Sequence, residues 1–144
     1  MKRFSFSLQK LLDLRLFREK EAEIALGKAI VEREKIQQEL EEIARERVSW
    51  MYSRTSGTSI QDLLSIERYI SRLDTKKEEL LEHLAAAELV VEQARENWMT
   101  ATRERQVISK LKEKKTGIWH KEMLDEEAEV LDDISNSVYS SKTN

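Results

Sequence analysis

An unbroken heptad repeat constrains this chain more than any other feature. Alternating steps of four and three residues select Leu8, Leu12, Arg15, Glu19, Ala22, Leu26, Ala29, Arg33, Ile36, Leu40, Ile43, Arg47 and Trp50. A second series runs from Leu63, Ile66, Ile70 and Leu73 through Lys77, Leu80, Leu84, Ala87, Val91, Ala94, Trp98 and Ala101 to Arg105 and Ile108. A period of 3.5 held this long describes the seam of a coiled coil, not merely an amphipathic helix. Composition agrees. Of 144 residues, 25 are Lys or Arg and 28 are Asp or Glu, with no Pro and three Gly. Sandwiches, barrels and βαβ enzymes need many turns, and the turn-forming residues are missing here.

The one strong loop signal in the first hundred residues is Ser53-Arg54-Thr55-Ser56-Gly57-Thr58-Ser59. Gly57 can take the left-handed conformation that ends a helix. Ser59 or Thr58 can cap the next helix, with Asp62 near its positive end. At the start, Ser5 or Ser7 is the expected cap. The reading is all-α: a long antiparallel two-helix coiled-coil hairpin forming a single unit. Helix 1 is expected over about 5–53, the turn over 54–58, and a longer helix 2 over about 59–134. Helix 1 would then be roughly 75 Å long. Thr116-Gly117 is a candidate break in helix 2, and the Ser-rich tail 135–144 is expected to be disordered.

In an antiparallel hairpin, facing residues have a constant sum of residue numbers. Trp50 with Leu63, Ile43 with Ile70, Leu40 with Leu73 and Leu12 with Ala101 all give 113. In that register none of the seam charges Arg15, Glu19, Arg33, Arg47, Lys77 and Arg105 faces another charge. Arg15 falls opposite Trp98, an arrangement suited to a cation–π contact.

Charge is zoned. Residues 1–20 hold six basic and two acidic side chains, and residues 103–115 do the same, a net of +4 each. The register brings both to the open end of the hairpin. Residues 121–144 carry seven acids and two Lys, a net of −5. The overall net of −3 argues against a dedicated nucleic-acid binder. No run is long and apolar enough to cross a bilayer, and no apolar core of a signal peptide is visible, so the chain reads as cytoplasmic.

Chemistry of the catalytic kind has no footing in this pattern. There is no Cys, hence no thiolate zinc site and no cysteine nucleophile. Neither His83 nor His120 has a Glu three residues before it, so the di-iron bundle signature is absent. No HExxH, GxSxG or Gly-rich phosphate loop occurs. The expectation is a non-enzyme with no cofactor, no metal and no catalytic residue.

The opening run Phe4-Ser5-Phe6-Ser7-Leu8-Gln9-Lys10-Leu11-Leu12-Asp13-Leu14-Arg15 resembles the start of the FliJ family. That family is the soluble stalk component of the flagellar type III export apparatus. Lys110-Leu111-Lys112-Glu113-Lys114 is similar to the basic stretch at the end of the family's coiled coil. Glu126-Glu127 and Leu131-Asp132-Asp133-Ile134 are similar to its acidic tail. The resemblance implies a stalk that enters the hexameric flagellar export ATPase and couples it to the export gate protein FlhA. It also implies substrate chaperones as partners and a peripheral place at the membrane export apparatus. Carried over by residue, the ring-facing set is Phe4, Phe6, Leu8, Gln9, Leu12, Arg15 and Leu111, and the gate-binding pair is Tyr69 and Leu73. The family patch continues with a small residue and a histidine where this chain has Lys76 and Leu80. Two other readings accompany it. One is an export chaperone or adaptor, suggested by the polar seam and the Trp119/Met123/Leu124 segment. The other is a membrane-surface anchor through the basic, Phe-containing N-terminus.

Overall fold

The computed structural model describes residues 2–56 and 59–143. It holds two helices, α1 (Gln9–Arg54) and the longer α2 (Ile60–Thr143), packed as an antiparallel hairpin. The expected fold class is the observed one. Gly57 and Thr58, assigned above to the turn and cap, lie outside the described residues.

Local chemistry accounts for the helix ends. The Gln9 N–H donates to the Phe6 carbonyl at 3.1 Å, and the Leu12 N–H to the Leu8 carbonyl at 2.9 Å, which starts α1 two residues after Ser7. At the other end the Thr55 hydroxyl donates to the Tyr52 carbonyl at 2.8 Å and the Ser56 hydroxyl to the Ser53 carbonyl at 2.9 Å. The backbone N–H groups of the same two residues donate to the same carbonyls, at 3.1 and 3.4 Å, so the last turn closes tightly. Ser59 caps α2: its hydroxyl accepts the Asp62 N–H at 3.3 Å. Asp62 itself stands in the first turn, where the helix dipole favours an acid.

Two expectations are corrected. α2 passes through Thr116-Gly117 without a break, and it continues through Ser135 to Thr143. A Cβ at Gly117 would meet nothing within 4 Å. One glycine costs a helix only about 1 kcal/mol, which the neighbouring Lys, Glu, Ile and Trp turns outweigh. The Ser residues after Ile134 stay in the helix with a local remedy: the Ser141 hydroxyl donates to the Val138 carbonyl at 2.9 Å.

The packing falls into two compact parts where one unit is expected: Met1–Glu19 with Ala101–Asn144, and Lys20–Thr100. In a stack of two-residue layers each layer touches only its neighbours, so a long hairpin has no common core. In the 20–100 part the buried residues are Ala29, Ile43, Ile66, Ile70, Leu73, Leu80 and Val91. Ile36, Leu40, Trp50 and Tyr69 pack against Ile43, Leu73 and Leu80. In the other part the buried residues are Phe6 and Leu12. Every seam position read from the heptad is buried or half-buried except Lys77, which is exposed.

Four of the six seam charges, Arg15, Glu19, Arg47 and Arg105, are paired, contrary to the expectation that none faces another charge, while Arg33 and Lys77 are in none of the ion pairs among the described residues. Arg47 Nε donates to Asp74 Oδ1 at 2.8 Å, a pair whose numbers sum to 121. Arg54 meets Glu67 at 2.9 Å, again 121. Tyr69 Oη donates to Glu46 Oε2 at 3.4 Å, a sum of 115. All lie above 113. Helical side chains lean toward the N-terminus of their own helix, and in an antiparallel pair the two leans add, so contacts form between residues of higher summed number than backbone levels suggest. Long side chains lean furthest. Arg47 thus meets a carboxylate eight residues beyond the Ile66 placed opposite it by counting, and Arg15 and Arg105 meet carboxylates six and eleven residues beyond Trp98 and Leu8.

Candidate partner-binding site

The part built from Met1–Glu19 and Ala101–Asn144 contains most of the residues singled out in the sequence. Residues 2–6 are a non-helical arm. Such a chain advances up to about 3.3 Å per residue against 1.5 Å in a helix, so the arm reaches further along α2 than helical counting allows. Its anchor is Trp119. The indole Nε1–H donates to the Lys2 carbonyl at 3.0 Å. The Phe4 ring lies against the indole, centroids 5.8 Å apart and planes tilted by 54°. Tilted pairs of this kind contribute about 0.5–1.5 kcal/mol beyond area burial. Phe6, the last residue of the arm, is buried. A groove of about 780 Å³ runs alongside, lined by Lys2, Arg3, Phe4, Trp119, Glu122 and Met123 among others.

Just inside the arm, Glu19 and Arg105 form a two-point ion pair. Arg105 Nε and one terminal nitrogen donate to the two Glu19 oxygens at 2.5 and 3.2 Å. The side chains are 19% and 25% exposed, so the fork is held close to the seam. Hydrogen bonding to Arg105 holds the Glu19 carboxyl below the usual carboxylate range. The same bond pushes the Arg105 guanidinium up. Arg15 is paired with Glu104.

The seven residues assigned to ring contact thus divide. Phe6 and Leu12 are buried, and Phe4 is half-buried against Trp119. Leu8 and Leu111 are half-buried. Gln9 donates to Asp13 at 2.9 Å, and Arg15 is in its ion pair. Lys2, Arg3, Lys10, Lys110, Lys114 and Lys115 remain exposed, and among the described residues none of these six is in an ion pair. Among the described residues, the free basic charge of this part therefore resides in the arm, in Lys10, Arg18 and Arg103 and in the lysines after Ser109, while Arg15 and Arg105 are in ion pairs. Trp119 was visible in the sequence as part of an amphipathic segment. Its partnership with the arm was not, because heptad counting stops where the arm leaves the helix.

In the 20–100 part, Tyr69 and Leu73 occupy neighbouring turns of α2. Tyr69 is half-buried, its ring 4.6 Å from Trp50 with planes tilted by 40°. Leu73 is 6% exposed and belongs to the core with Ile43 and Leu80. Around them Glu39, Glu42, Arg72 and Lys76 line a shallow groove of about 590 Å³.

No helix among the described residues is long and apolar enough to cross a membrane. Two charged helices packed antiparallel along a heptad seam define a coiled-coil protein. The family model described as flagellar FliJ protein matches residues 4–144. The chain belongs to the flagellar FliJ protein family and is a flagellar, export-related protein. No curated protein and no solved structure matches the chain.

Proposed function

We propose that this chain is a coupling stalk of flagellar export: it binds the hexameric export ATPase through its basic, aromatic end and links it to the export gate. The family match over residues 4–144 carries the reading, since it includes both the N-terminal arm and the far end of α2. The geometry supports it in two ways. The arm and the Lys110–Lys115 stretch belong to one compact part, giving an electropositive surface suited to an acidic rim. The Glu19–Arg105 fork and the Phe4–Trp119 contact hold that surface on a fixed frame. Tyr69 and the groove beside it are the proposed gate-facing surface, with Leu73 supporting it from within the core.

The test is co-purification of the full chain with the cognate export ATPase at low salt, together with the ATP hydrolysis rate with and without the chain. Binding and a changed rate are expected, both weakened by Lys2→Glu with Arg3→Glu. No complex and no rate change overturn the stalk reading. A second reading, an export chaperone or adaptor, is supported by the exposed Leu124, Leu131, Ile134 and Tyr139 on α2. It predicts that the chain delays aggregation of an export substrate, and an unaltered aggregation time removes it.

A further inference from the structure

The last five turns of α2 carry an apolar face that none of the described residues covers. Val130, Leu131, Ile134 and Val138 are each about half exposed or more. At 100° per residue, Met123, Val130 and Ile134 continue the line on which Trp119 meets the arm. Beside that line Glu122, Glu126, Glu129 and Asp133 follow at steps of four, three and four, forming an acidic rail parallel to it. Among the described residues none of these acids is in an ion pair. A groove of about 500 Å³ lined by Glu126, Glu127, Val130 and Leu131 adjoins the arm's groove, the two sharing Glu126.

We propose that this face, from Met123 to Val138, is a docking surface for a basic, apolar-striped helix of a partner protein. The chain itself supplies the precedent. Its own arm places Lys2 and Arg3 over a groove lined by Glu122 and Glu126 and seats Phe4 against Trp119: a basic segment with an apolar anchor on an acidic helix with an apolar line. The uncovered face repeats that chemistry directly beyond the arm. Its length of about 22 Å matches a partner helix of about 15 residues. Charge selects the occupant. A second copy would bring a segment of net −5 against its equal, whereas a helix with Lys or Arg beside its apolar stripe meets opposite charge along the whole rail. The surface adjoins the basic end used in the stalk reading but does not rest on that reading.

The experiment uses the full chain and two fluorescein-labelled 18-residue probe peptides of helical pattern, one of Leu and Lys, the other of Leu and Glu, read by anisotropy. The Lys peptide should bind at least tenfold more tightly than the Glu peptide, and less tightly as salt rises. Val130→Asp with Ile134→Asp should weaken it at least tenfold although it adds negative charge, and Glu126→Lys with Glu129→Lys should do the same. Both pairs are exposed, so an unchanged melt by circular dichroism is expected. Equal binding of the two peptides, or full binding by the Val130/Ile134 variant, overturns the proposal. So does a dimer in sedimentation that Ile134→Asp dissolves, since the occupant is then a second copy.

Discussion

Leu73→Ala separates a core role from a contact role at a position the family resemblance assigns to partner binding. The side chain is 6% exposed and packs in the cluster with Ile43 and Leu80. Burying a Leu stabilises by about 1.5–3 kcal/mol, and truncation in enclosed cores costs about 2–5 kcal/mol once the cavity is included. A two-helix seam has solvent close on both sides, so the gap can partly collapse, and the lower half of that range applies: about 2–3 kcal/mol. With an unfolding entropy of about 2.1 cal/mol/K per residue, 144 residues give about 0.3 kcal/mol/K. The melting temperature should then fall by about 7–10 °C.

The assay is the helical circular-dichroism signal followed through thermal and urea unfolding, with the urea midpoint falling and its slope unchanged. Leu131→Ala is the matched control, the same chemistry on a side chain 66% exposed, and it should leave the melt in place. A Leu73→Ala melt within 2 °C of the parent, as a purely partner-facing Leu would give, refutes the packing described here. So would a loss of gate binding without a loss of stability.

Gly117→Ala should stabilise by about 0.5–1 kcal/mol, because the added methyl meets open space and the helix runs through; a lowered melt would mean that the helix breaks there. Phe4→Ala should weaken arm docking by about 1 kcal/mol, read as a red shift and stronger acrylamide quenching with Trp119 the sole tryptophan and Trp50 and Trp98 replaced by Phe. The Glu19 carboxyl is lowered in the fold by its bond to Arg105. Its contribution is present above the unfolded value of about 4.3 and fades as pH falls through the lower folded value. Glu19→Gln should therefore cost about 1 kcal/mol at pH 7 and progressively less as pH falls through the lowered folded value, and a gap independent of pH in paired melts counts against the ion pair.

The heptad made the hairpin legible because its seam is a yes-or-no pattern on each helix. From Leu8 to Ile108 only Lys77 departs from it in burial, and a Lys can lift its ammonium to water from any seam position. Cross-helix partners were harder to read. Shifting one helix by seven residues maps the seam onto itself, so burial alone does not discriminate neighbouring registers. Pairs such as Arg47–Asp74 and Arg15–Glu104 have sums of 121 and 119, nearer to the register one heptad above 113 than to 113 itself. The Trp119–Lys2 bond was out of reach for a different reason: it forms where the backbone leaves the helix and its rise per residue changes.

The same contrast explains why the residues assigned to ring contact and the pair assigned to the gate read differently in the sequence and in the fold. A motif selects residues by identity, whereas packing selects them by which way they point. Phe6, Leu12 and Leu73 are turned inward, and they shape a surface by holding up what stands outside them. Lys2, Arg3, Lys114 and Lys115 stand outside, exposed and free of ion pairs among the described residues. Substituting the first group should therefore change partner binding only together with stability. Substituting the second should change association, and its salt dependence, at constant stability. Measuring both quantities on the same variants assigns each residue to its role, which affinity alone does not.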